Sequence, residues 1–134
     1  MPWSRHHYLN YYPTLNYELG LTTQNSSGYR NREFSAEKPD GAYRIAVVGG
    51  SSAYDVAVNE NDKTFASRLE KILRNTYEYQ NVEVFNAAVG GYASWESLIN
   101  LEFRVLDIDP DLVIIHPESD DVHARLVSPA AYLC

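Results

Sequence analysis

From residue 43 onward, short apolar runs alternate with amphipathic stretches, regularly enough to predict elements. The run "YRIAVV" at 43–48 stops at Gly49 and Gly50, as expected of a strand buried on both faces of a parallel sheet. In "NDKTFASRLEKILRNTY" at 61–77, Phe65, Leu69, Ile72 and Leu73 fall at i, i+4, i+7 and i+8, one apolar face of a helix, with Asp62 or Thr64 as its cap. "VEVFNAA" at 82–88 predicts a second strand. Ser94 then caps a second predicted helix, whose apolar face is Leu98, Leu101, Val105 and Leu106 and which ends before Pro110. "DLVII" at 111–115 is the third strand. Strand, helix, strand, helix, strand is the order of a doubly wound α/β domain, and right-handed crossovers make the strands parallel. A sheet of only three strands leaves an edge of Leu, Val and Ile with open backbone groups. Its cover is expected from the last residues, from the N-terminal part or from another chain.

Residues 1–42 keep neither period and end in the turn-prone "EKPDGAY", which predicts an irregular arm ahead of an α/β domain at 43–134. The arm is rich in aromatics (Trp3, Tyr8, Tyr11, Tyr12, Tyr17), unlike a free tail, so it is expected to lie against the domain. Those tyrosines either pack on the sheet or line an acyl pocket.

Composition narrows the partners. At 134 residues the chain fits one domain, and 11 basic against 18 acidic side chains leave a net charge of −7, which repels a phosphate backbone and argues against nucleic acid. No apolar stretch approaches the roughly 20 residues of a membrane span, and the start "MPWSRHHYLN" lacks the apolar core of a secretory signal, so a soluble chain is expected. The single cysteine, Cys134, forms no internal disulfide. Asn25-Ser26-Ser27 fits the glycosylation sequon, a match common by chance.

Candidate chemistry lies at the strand ends. In open α/β sheets ligands bind beyond the carboxyl ends of the strands, where the strand order reverses. The first strand ends in Gly49-Gly50-Ser51-Ser52, the second in "NAAVGGYAS" and the third in "HPESDDVH". From the residues alone, Ser51 is either a nucleophile or a helix-capping hydroxyl, and Gly90 and Gly91 either serve a tight turn or offer backbone donors. His116, Glu118, Asp120, Asp121 and His123 group donor types that suit a divalent metal or lend an imidazole to Ser51, but no paired-histidine or cysteine spacing supports zinc. No metal and no cofactor is expected. His6 and His7 lie in the arm and are expected to be exposed. A phosphate-cradling loop at Gly49 to Ser52 has no Gly-Lys-Ser/Thr to support it.

The blocks "VVGGSSAYD" and "NAAVGGYASWESL" resemble those of the SGNH or GDSL hydrolases, and the lead-in "YLNYYPTLNYELGLTTQNSSGYRNREF" resembles that of a bacterial branch of the same family. The resemblance covers nearly the whole chain. It implies a flavodoxin-like three-layer sandwich, here truncated to about three strands, and an esterase, lipase or carbohydrate-deacetylase activity with no cofactor. It places the serine nucleophile at Ser51, an oxyanion-binding N–H at Gly91 and the third block at Glu118-Ser119-Asp120-Asp121, with a small-molecule or carbohydrate ester as substrate. Two departures stand out. Where the family has an asparagine donor this chain has Asp120, and an ionised carboxylate only accepts hydrogen bonds; loss of one such donor costs about 10² to 10³ in rate. The family's fourth block, an Asp-x-x-His near its C-terminus and the source of the base that activates serine, does not follow the third block in this sequence. The expected function is therefore an SGNH-type ester hydrolase, impaired for lack of the histidine block. The alternative is an inactive module of the same fold that forms homo-oligomers through its sheet edge.

Overall fold

The computed structural model describes residues 3–7, 9, 11–117 and 121. Among them the arm carries two short antiparallel ribbons, β1 (Trp3–Ser4) with β2 (Tyr12–Pro13) and β3 (Glu18–Leu19) with β4 (Thr22–Thr23). Then come β5 (Tyr43–Gly49), the single-turn α1 (Ser51–Tyr54), a 3₁₀ turn at Asn61–Lys63 and α2 (Phe65–Asn75). β6 (Val82–Asn86), α3 (Ser94–Asn100), a π turn at Leu101–Val105, a 3₁₀ turn at Leu106–Ile108 and β7 (Leu112–His116) complete the order.

The three long strands form one parallel sheet in the order β6-β5-β7, with Val47 opposite Asn86 on one side and Ile114 on the other. The fold is thus a mixed α/β unit with a three-stranded parallel sheet flanked by helices, a small flavodoxin-like arrangement. Alternation along the strands sends side chains to two cores. Ile45, Val47, Val82 and Val84 meet Ala66, Leu69 and Leu73 of α2, whereas Ala46, Val48 and Phe85 meet Val105, Ile108 and Leu101 on the opposite face. Thr64 caps α2, its hydroxyl accepting from the Ser67 N–H at 3.4 Å.

The second helix departs from the sequence pattern. Its buried stripe runs through Ser97, Asn100, Arg104, Val105 and Ile108, one position round from the leucines, while Leu98 and Leu106 are exposed. The Asn100 amide and the terminal nitrogens of Arg104 bury at low cost because they are bonded, whereas Arg104 Nε is buried without a hydrogen-bond partner among the described residues. Asn100 donates to the Ala87 carbonyl at 2.9 Å, and Arg104 donates to Asn100 Oδ1 at 3.0 Å and lies 3.9 Å above the Tyr29 ring. Ser94, expected as the cap, is the first helical residue instead; a carboxylate oxygen of Glu96 accepts the Ala93 N–H at 2.8 Å.

The arm lies against the domain and finishes one edge of the sheet. Asn31 donates to the Val84 carbonyl at 2.9 Å and accepts the Asn86 N–H at 2.6 Å, and the Arg30 N–H reaches the Asn86 carbonyl at 3.2 Å. From α2, Glu70 accepts the Val84 N–H and Arg74 donates to the Val82 carbonyl. The outer groups of β6 are therefore paired through an amide side chain, a carboxylate and a guanidinium in place of a fourth strand. At the opposite end of the sheet the buried Arg44 ties the arm to the strands, donating to the carbonyls of Ser35 and Ile108 and to Glu83.

Candidate functional site

The order β6-β5-β7 reverses direction at β5, so the crevice expected of an open α/β sheet opens at the carboxyl ends of β5 and β7. Three observations place the loops after all three strands at this one edge. The ladder between β5 and β6 continues past the strands, with the Ala87 N–H on the Val47 carbonyl at 2.9 Å and the Val89 N–H on the Gly49 carbonyl at 3.0 Å. Gly49 is the register partner of His116, the last residue of β7. Its φ of +155° and the nearness of the His116 carbonyl oxygen leave no room for a side chain at position 49. Ser51 and Gly91 thus each lie two residues beyond a hydrogen-bonded pair, Gly49 with Val89.

Ser51 is the first residue of α1 and half-buried. The capping position belongs to Gly50, and Ser51 follows it as the first helical residue. A helix of four residues has no stability of its own. Its far end is fixed by the buried Arg30, whose guanidinium donates to the carbonyls of Tyr54 at 2.9 Å and Asp55 at 2.7 Å, reaches the Val58 carbonyl and lies 4.9 Å over the Tyr54 ring. Desolvation lowers the Arg30 pKa, opposed by Tyr54 and Asp55, and a guanidinium stays charged through such a shift. Gln24 donates to the Tyr54 hydroxyl at 3.0 Å, and the Asn86 amide reaches the Tyr54 carbonyl at 3.5 Å. A cation at the carboxyl end of α1 also opposes the helix dipole favourably.

Gly91 is exposed in a tight turn closed by the Tyr92 N–H on the Val89 carbonyl at 3.1 Å. Its φ is +82°, and Gly90 is not in the positive-φ region, the combination that defines a type II turn. The arm packs on this turn. The Tyr11 hydroxyl donates to the Gly90 carbonyl at 2.5 Å, the Tyr92 hydroxyl donates to the Tyr11 carbonyl at 2.6 Å, and the two rings lie 5.4 Å apart. Burial pushes the Tyr92 hydroxyl well above the ordinary phenol range. Leu9, Val89 and Tyr92 form the small apolar cluster beneath.

Asp120, with Glu118, Ser119, His123 and Cys134, lies outside the described residues. Its neighbour Asp121 accepts the Ser94 N–H at 2.8 Å, which joins the third block to the start of α3, three residues beyond Gly91. His116 ends β7 and is exposed, as are His6 and His7 in the arm. Among the described residues no three His, Cys, Asp or Glu side chains gather to hold a metal, and no helix is long and apolar enough to cross a membrane. Asn25 is buried with its amide on the Arg32 carbonyl and its Oδ1 accepting from Ser27 and Tyr29, so the sequon residue is a turn-former inaccessible to a glycan in the folded chain.

The edge thus brings a serine, a glycine-turn amide and the loop after β7 to one place, which suits attack on a carbonyl whose oxygen is held by backbone N–H groups. Reading the sequence alone missed Arg30, Asn86 and Tyr92, and placed Tyr11 only among the aromatics that pack the arm on the domain. Asn86 carried a signal, a polar residue closing an otherwise buried run; the particular partners of Arg30 and Tyr92 carried none, because they are 24 to 81 positions away. Compared with family models and with curated proteins, the chain matches none.

Proposed function

We propose that this chain is a serine ester hydrolase domain of SGNH type, acting on an ester or O-acyl group of a small molecule or carbohydrate. The observation that carries the reading is the Gly49–Val89 hydrogen bond at the reversal of the strand order, which brings the Ser51 and Gly91 loops together at the carboxyl edge. In the proposed reaction the Ser51 hydroxyl oxygen bonds to the substrate carbonyl carbon, and the N–H groups of Ser51 and Gly91 hold the resulting oxyanion. The Ser51 proton passes to a base, the carbonyl re-forms as the alcohol leaves with that proton, and water releases the acyl group by the same steps. The resemblance assigns the base to an Asp-x-x-His block that follows the third block, and none follows Asp121 in these 134 residues, so slow acylation is expected of them. Asp120 in place of an amide donor slows it further. The test is reaction of the full chain with a fluorophosphonate probe. Labelling that maps to Ser51 and disappears in Ser51→Ala supports the reading; a folded chain that never labels at Ser51 overturns it.

A second reading, an assembly module that pairs with another copy of itself along β7, is favoured by one observation. Among the described residues β7 is an edge strand with Ile115 62% exposed, and the outward face of the second helix carries Trp95, Leu98, Phe103 and Leu106, with Phe103 73% exposed. Burying these apolar side chains is what an interface between copies would gain.

A further inference from the structure

We propose that Tyr11 is a positioning residue that sets the direction of the Gly91 N–H, an inference that rests on the reading of that N–H as an oxyanion donor. The peptide joining Gly90 to Gly91 is the central peptide of the type II turn closed between Val89 and Tyr92. Types I and II differ chiefly by a half-rotation of that peptide, which exchanges the sides on which its carbonyl and its N–H lie. For most sequences side chains select between them. Here both central residues are glycine, which tolerates either conformation, so local sterics leave the choice open.

The arm makes the choice. Tyr11 donates its hydroxyl hydrogen to the Gly90 carbonyl at 2.5 Å, and the backbone carbonyl of Tyr11 is itself held by the Tyr92 hydroxyl at 2.6 Å. The carbonyl of Gly90 and the N–H of Gly91 belong to one trans peptide and point in opposite directions. Fixing the carbonyl on the arm therefore turns the N–H away from the arm. A hydrogen bond accepted by the carbonyl also polarises the peptide and strengthens its N–H as a donor. The Tyr11 hydroxyl occupies the space that a side chain at position 91 would need, so the close approach itself depends on Gly91. An oxyanion donor acts by being fixed in advance, and a peptide free to rotate is not fixed.

The experiment compares the full-length chain with Tyr11→Phe, and with Ser4→Ala as a control that removes a hydrogen bond within the arm, to Thr14, and none to the turn. Two readouts are taken. In ¹H–¹⁵N spectra, Tyr11→Phe is expected to move or split the Gly91 amide signal while Ala46, Val47 and Val48 of β5 keep theirs, which shows that the sheet is intact. In fluorophosphonate labelling, the maximal rate is expected to fall about tenfold with the half-saturating probe concentration unchanged, a part of the 10² to 10³ lost when a donor is removed outright. A Gly91 signal in Tyr11→Phe identical to that of the parent overturns the proposal, as does a labelling rate unchanged in a parent that labels at Ser51. If the parent fails to label at all, the hydrolase reading fails and with it the catalytic consequence, whereas the Gly91 signal separately decides whether Tyr11 orients the peptide.

Discussion

Tyr29 shows at the scale of one residue how burial writes a pH dependence into this chain. Its ring is buried beneath the Arg104 guanidinium, its hydroxyl donates to the Arg104 carbonyl at 3.1 Å, and desolvation raises its pKa from the ordinary value of 10.0 to about 12, partly offset by Arg104. A group whose folded pKa is raised contributes stability in full below its unfolded pKa and loses it as pH rises through the folded one. Urea unfolding should therefore show a Tyr29 contribution of about 2 to 3 kcal/mol to the stability lost between pH 10 and pH 12, beside that of Tyr92, and Tyr29→Phe should lose that part of the slope. Gly49 gives a second prediction, because a Cβ there collides with the His116 carbonyl and the φ of +155° strains any other residue. Gly49→Ala is expected to cost about 2 to 5 kcal/mol in denaturant unfolding and to separate β7 from the mouth of the site. Asp120→Asn restores the amide donor that the family resemblance places there. It should raise the rate of Ser51 labelling by about 10².

At the scale of elements, stability rests on polar side chains that stand in for missing backbone partners. β6 has no strand on its outer side, yet Asn31 bonds both the Val84 carbonyl and the Asn86 N–H. Asn31→Ala leaves two backbone groups without their partner and should cost about 2 to 4 kcal/mol, measured by thermal or urea unfolding. Native-state hydrogen exchange should then quicken at Asn86 before it quickens in β5. The same logic explains the second helix, whose buried stripe includes Asn100 and Arg104 because these find partners on Ala87, Ser27 and Tyr29. A helix placed by its hydrogen bonds turns Leu98 and Leu106 outward and keeps Leu101 on the core.

Across the whole molecule, the two edges of the sheet are unequal. The arm and α2 complete β6, whereas β7 has no strand beyond it among the described residues, and Trp95, Leu98, Phe103 and Leu106 stand exposed on the neighbouring helix. If a second copy covers this face, sedimentation velocity should show a dimer that Phe103→Glu combined with Leu98→Glu dissociates. Since both side chains are exposed, the double variant should change the stability of the monomer by less than about 1 kcal/mol. A monomer at all concentrations, with the fold intact, removes the assembly reading and leaves the hydrolase reading as it stands.

The sequence by itself determined the three parallel strands, the helix over Phe65–Asn75 and the carboxyl edge on which the loops of Ser51 and Gly91 lie, because each follows from short-range periodicity and from glycines that end buried runs; it left Asp62 or Thr64 open as the helix cap. The resemblance to a hydrolase also came from the sequence, through contiguous blocks. Only the tertiary structure decided which face of the second helix is buried, how β6 is finished and what holds the 90–91 peptide. Those depend on Asn100, Asn31 and Tyr11 finding partners 13 to 79 residues away, and a hydrogen bond between distant residues leaves no period in the chain.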